Sequence, residues 1–133
     1  MSEQSPHATG KDGPAVSQAR RVDKPWGYEL IWAHAERYVG KILHIDAGHA
    51  LSYQFHQKKE ETIYVLSGTL RLHYSLDESA PNVIDLPPGS VFHIRPGLRH
   101  RFEAQADVDL LEASTPELDD VVRLEDRYGR TPP

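Results

Sequence analysis

Gly48-His49-Ala50-Leu51-Ser52-Tyr53-Gln54-Phe55-His56-Gln57-Lys58-Lys59-Glu60-Glu61-Thr62-Ile63-Tyr64-Val65-Leu66-Ser67-Gly68 is a stretch of short strand-like runs bounded by glycine. Gln54 and His56 stand two apart, so a strand projects them side by side from one face. Glu61 opens the next run after a short connection, where hairpin geometry can return it opposite His56. Further along comes Gly89-Ser90-Val91-Phe92-His93-Ile94-Arg95-Pro96-Gly97-Leu98-Arg99-His100, whose Pro-Gly turn delivers His100 to the start of another strand. Two imidazoles, a carboxylate and an amide oxygen converging inside a β-structure would make a metal site.

Working outward, strands are expected over residues 28–32, 38–46, 50–55, 62–67, 69–75, 83–86, 91–94, 100–104 and 108–114. Leu70, Leu72 and Tyr74 alternate with Thr69, Arg71 and His73, the period of a half-buried strand. Turn residues fall between the runs, at Ala47-Gly48, Ser67-Gly68, Pro87-Pro88-Gly89 and Pro96-Gly97. Nine short strands without an intervening helix predict an all-β antiparallel sandwich or barrel. Residues 117–127 are the one stretch with helical character, Pro116 preceding them and Asp119 and Asp120 in the first turn. Residues 1–21, rich in Ser, Gly, Pro and charge, are expected to form a disordered tail ahead of one domain over 22–133.

Composition narrows the chemistry. The chain has 133 residues, enough for one domain with a real core. Its 15 basic and 20 acidic residues leave a formal charge of −5, which argues against a general nucleic-acid binder. With no cysteine, disulfides, thiol catalysis and sulfur-ligated metals are excluded, and a metal must take His, carboxylate or amide ligands from a chain holding 8 His. No apolar run approaches a membrane span and no signal-peptide stretch is present, so a soluble cytoplasmic protein is the expectation.

Gly48, Gln54, His56, Glu61 and Gly68 satisfy G-x5-[His/Gln]-x-His-x4-Glu-x6-G, and Gly89, Gly97 and His100 fit a second pattern, G-x5-P-x-G-x2-H-x3-N. Together they resemble the two cupin motifs, with Arg95 in place of the first proline and Ala104 in place of the asparagine. Lys24-Pro25-Trp26-Gly27, Leu51–Phe55 with His56, and the segment from Asp119 to Arg130 are similar to the type II mannose-6-phosphate isomerase domain, which in that family follows a sugar-phosphate guanylyltransferase. Gln57-Lys58-Lys59 stands where the family has His-His-Arg.

The resemblance implies a cupin jelly roll with a short C-terminal helix or arm, paired into a homodimer across a sheet edge. It implies a metal held by Gln54, His56, Glu61 and His100, with Glu60 as the fallback carboxylate. Zn²⁺ is the first choice, with Mn²⁺, Fe²⁺, Co²⁺ and Ni²⁺ as alternatives, because a neutral amide donor beside imidazoles suits a Lewis acid. It further implies aldose–ketose isomerisation of a sugar or sugar phosphate, with Lys41, His44, His49 and Glu60 as candidates for the base, and Arg123, Arg130 and Lys59 for phosphate. A cupin dioxygenase acting on a small organic substrate and a non-catalytic carbohydrate-binding cupin are the alternatives.

Overall fold

The computed structural model describes residues 16–131. Eleven strands follow one another: β1 (Arg20–Lys24), β2 (Gly27–His34), β3 (Val39–Ile45), β4 (Tyr53–Phe55), β5 (Glu61–Ser67), β6 (Leu70–Ser75), β7 (Asn82–Leu86), β8 (Val91–Ile94), β9 (Arg99–Ala104), β10 (Val108–Ser114) and β11 (Val122–Glu125). They form two antiparallel sheets, one in the order β1-β2-β3-β10-β5-β8 and the other β11-β4-β9-β6-β7. Packed face to face, they make the sandwich that the alternating sequence predicts.

Two features differ from the reading of the sequence. The C-terminal segment is not helical: Val122–Glu125 is β11, paired with β4 through Val122 opposite Phe55 and Arg123 opposite Gln54. Tertiary pairing at a sheet edge overrides the capping signals of Pro116, Asp119 and Asp120. At the other end, Arg20 and Arg21, assigned to the tail, pair with Ile31 and Leu30 in β1. Residues 1–15 of the expected tail lie outside the described residues.

Strand alternation decides where the core sits and where it stops. Leu43 and Ile45 on β3, Ile63 and Val65 on β5, Val108 and Leu110 on β10, and Phe102 and Ala104 on β9 point inward and join one buried cluster with Trp26, Leu51, Leu70, Leu72 and Ile94. Continuing each inward row by two residues replaces an apolar side chain with a polar one: Lys41 on β3, Glu61 on β5, Glu112 on β10 and His100 on β9, all buried. One end of the sandwich is therefore oily and the other carries ionisable groups.

Gly27 holds the turn between β1 and β2 close to β3. Its φ is +151° and a Cβ there would lie 1.9 Å from the carbonyl oxygen of His44, so backbone conformation and space both require glycine. Gly27→Ala is expected to cost about 2 kcal/mol or more, lowering Tm by roughly 5–10 °C in thermal unfolding; an unchanged Tm would show that this contact yields freely.

Candidate metal centre and ligand pocket

His56, Glu61 and His100 come together although they lie on three separate segments. His56 follows β4, Glu61 begins β5 and His100 is the second residue of β9, opposite Gln54 across the β4–β9 pairing. One ligand-type atom from each lies within 4.8 Å of the others, and all three residues are buried. Nε2 of His56 is 2.8 Å and Nε2 of His100 is 3.8 Å from Oε2 of Glu61.

The histidine rings are set from behind. Nδ1 of His56 donates to the Asp120 carbonyl at 2.5 Å and Nδ1 of His100 donates to the Leu98 carbonyl at 2.9 Å. A carbonyl only accepts, so each ring carries a proton on Nδ1 and turns its Nε2 toward Glu61. Both Nε2 atoms are buried and have no hydrogen-bond partner, the close approach of His56 to Glu61 being out of line for one. Burial pushes the His100 imidazole down to about 3, which keeps it neutral. Two buried imidazole Nε2 atoms without hydrogen-bond partners beside a carboxylate, each ring braced by a carbonyl, fit a divalent ion.

Around this trio lies a buried charge network. Lys59 Nζ is 3.0 Å from Glu112 and 3.9 Å from Glu61, and Lys41 Nζ donates to Glu29 at 3.2 Å. Burial works against the Lys59 ammonium, but Glu112 and Glu61 outweigh it and hold its pKa above the usual range. Burial would raise the Glu61 carboxyl, yet His56 and Lys59 bring it below its ordinary value. Glu112 is pushed up by burial and by the charge of Glu61. Glu29 and Glu112 were not anticipated; their signal was a carboxylate on the inward row of an otherwise apolar strand, as in Val108, Leu110, Glu112.

A cavity of about 270 Å³ opens onto these groups, and Glu29, Lys41, Gln54, His56, Lys59 and Arg123 line it. Gln54 accepts from the Ser52 hydroxyl through Oε1 at 2.6 Å. Arg123 contributes a buried Nε without a hydrogen-bond partner. Arg130 also reaches the wall, but its fork is engaged with Asp126 at 2.8 and 3.0 Å. That pairing, against the opposing effect of burial, lowers the Asp126 carboxyl to about 2.

The other candidates for the base lie elsewhere. His44 Nδ1 sits 2.7 Å from Asp109, with Asp46 and Asp107 near its Nε2. His49 shares a 2.7 Å hydrogen bond with the Tyr128 hydroxyl, and Glu60 pairs with His93 at 2.5 Å. None of the three lines the cavity that Lys41 lines.

With that geometry in view, a family model described as a cupin domain matches residues 41–112, more than half of the chain. The chain belongs to the cupin family. Among curated proteins it is similar to the mannose-1-phosphate guanylyltransferase ManC of Salmonella typhimurium, 37% identical over 117 residues that cover 84% of this chain and 23% of ManC. It thus spans about a quarter of that relative's length. Among solved structures it is similar to KdgF from Halomonas sp., with TM-score 0.65, 20% identity and coverage of 75% of this chain and 90% of that one. A sugar phosphate isomerase of the cupin superfamily from Silicibacter pomeroyi aligns with TM-score 0.55 and 18% identity over 66% of this chain and 58% of that one. At these identities the two structures support the jelly-roll fold alone.

His56→Ala and His100→Ala are each expected to abolish stoichiometric Zn²⁺ uptake by elemental analysis and to remove the rise in Tm on adding the ion, since an ion stabilises only the state that binds it. His44→Ala is expected to leave uptake at wild-type level. Full occupancy in either of the first two variants would rule out the site as drawn.

Proposed function

We propose that this cupin is a metal-dependent isomerase of a sugar phosphate, of the mannose-6-phosphate/fructose-6-phosphate type. The observation carrying this reading is that His56, one member of a metal-ready His/Glu/His trio, and an unpartnered buried arginine nitrogen line one cavity of small-molecule size. Sequence similarity to ManC, a mannose-1-phosphate enzyme, supports a sugar-phosphate ligand.

Aldose–ketose exchange moves a proton between adjacent carbons. A divalent ion held by His56, Glu61 and His100, with Gln54 nearby, would supply Lewis-acid polarisation of the sugar carbonyl. Lys41 is the one of the four base candidates on the cavity wall, and Glu29, fixed by its bond to Lys41, offers the carboxylate that takes the proton. Arg123 binds phosphate through charge-assisted donors, while Lys59 is committed to Glu112 and Arg130 to Asp126. Arg123 is therefore the proposed principal phosphate ligand among the three candidates.

The protein is further proposed to be a homodimer that pairs through a sheet face. Leu30, Ile42, Leu111, Tyr64 and Val91 are consecutive register partners across five strands of the six-stranded sheet. They run along its outer side, where Tyr64 is 40% and Val91 62% exposed. Strands about 4.8 Å apart with residues about 3.3 Å apart give that face roughly 600 Å², approaching the roughly 800 Å² per partner of a standard interface. The edge strand β1, Arg-Arg-Val-Asp-Lys, is charged as edges that avoid pairing are.

Metal-loaded protein incubated with aldose and ketose phosphates in deuterated water should interconvert them with solvent deuterium appearing on the reacting carbon. Binding without any turnover would favour the non-catalytic carbohydrate-binding reading. Arg123→Ala is expected to lower kcat/KM for a sugar phosphate about ten- to hundredfold, the loss of one charge-assisted contact, while metal content and turnover of any free sugar stay within about twofold. Equal losses on both substrates would make Arg123 structural. Leu111→Asp is expected to convert a dimer to a folded monomer in sedimentation, whereas unchanged association would move the interface off this face.

A further inference from the structure

One residue of the C-terminal arm grips the ligand loop with both its side chain and its main chain. The Asp120 carboxylate accepts from three successive backbone N–H groups, those of Gln57, Lys58 and Lys59, at 3.0, 2.6 and 2.8 Å. Its own backbone carbonyl is the acceptor for His56 Nδ1. Residues 56–59 are thus tied at four consecutive positions to a single residue 61 or more positions later in the chain. Successive N–H groups converging on one anion form a concave cradle, and bonds to an ionised acceptor are about twice as strong as neutral ones.

The two halves of this contact do different things. The carbonyl fixes the tautomer and direction of the His56 ring, so that Nε2 faces Glu61. The carboxylate holds that carbonyl in place by anchoring it to the loop it serves. On either side of Asp120, Leu118, Asp119, Val121 and Arg123 line the cavity, so the clasp also seats one of its walls. β11, just beyond, occupies the end of its sheet and pairs with β4 alone, in an irregular register.

Resting on the reading that His56, Glu61 and His100 hold a divalent ion, we propose that Asp120 is the positioning residue of that centre, coupling ion binding to the seating of the C-terminal arm. Coupling of this kind is reciprocal: an arm held down by Asp120 favours the ion-binding pose of His56, and a bound ion favours the seated arm by the same factor. The ion then organises the arginine wall without touching it. Asp120 makes no contact with substrate in this scheme and acts through His56.

The test uses the full chain and Zn²⁺ with three readouts: affinity by chelator competition, the Tm difference with and without Zn²⁺, and the rate of tryptic cleavage after Arg127 on the arm. In wild type, Zn²⁺ should raise Tm and slow that cleavage. Asp120→Ala should weaken Zn²⁺ about 10- to 100-fold, shrink the Zn²⁺-induced rise in Tm and abolish the protection of the arm. Asp120→Asn, which keeps one acceptor oxygen, should recover part of each, and it carries the test if the alanine variant does not fold. Zn²⁺ affinity within twofold of wild type, or a Tm lowered equally with and without the ion, would make Asp120 a plain loop anchor and overturn the proposal. A wild-type protein that takes up none of Zn²⁺, Mn²⁺, Fe²⁺, Co²⁺ and Ni²⁺ would overturn the metal reading itself, and the coupling with it.

Discussion

Burying several charges at one level of a β-sandwich requires that each find a partner, because an unpaired buried charge costs far more than any packing contact returns. This constraint shapes the whole candidate site. Lys41, Glu61, Glu112 and His100 occupy the inward rows of β3, β5, β10 and β9 directly beyond the apolar core. Lys59 comes in from a loop to lie between Glu61 and Glu112, and Glu29 meets Lys41. Removing one member would strand another, so the network specifies register: a one-residue slip in β10 would turn Glu112 to the outer face and bring Leu111 in.

Electrostatics and topology meet at the ligand loop. Lys59 offsets the charge of Glu61 and Lys41 that of Glu29, while the two imidazole Nε2 atoms beside Glu61 are left without hydrogen-bond partners. The arm closes a cavity that the two sheets leave open at their polar end, and brings Arg123 opposite Gln54 in the register of β11 and β4.

Much of this was legible in the chain. Alternation in Leu70–Ser75 and Val108–Ser114 marks strands because the pleat has a period of two, and glycine spacing marks the turns between them. The spacing of Gln54, His56, Glu61 and His100 brings the last three side chains within reach of one another and puts Gln54 on the cavity that His56 lines. β1 escaped notice because Arg-Arg-Val-Asp-Lys has one apolar residue and owes its conformation to pairing with β2. β11 was hidden by helix-start chemistry that edge pairing overrode. Proximity in sequence is not proximity in space: Glu60 adjoins Glu61 in the chain and His49 opens the same stretch, yet they pair with His93 and Tyr128 and do not line the cavity.

The sheet order has a consequence for how such a chain is made. β3 is flanked by β2 and β10, and β10 is synthesised only after six intervening strands. Until β10 inserts, β3 and β5 each present an open edge in the middle of what will be the larger sheet, a template for other chains during synthesis. The last strand to join that sheet also brings Glu112, and the segment after it brings Asp120 and Arg123. A growing chain therefore carries His56, Glu61 and His100 before the Asp120 carbonyl that braces His56 has been made.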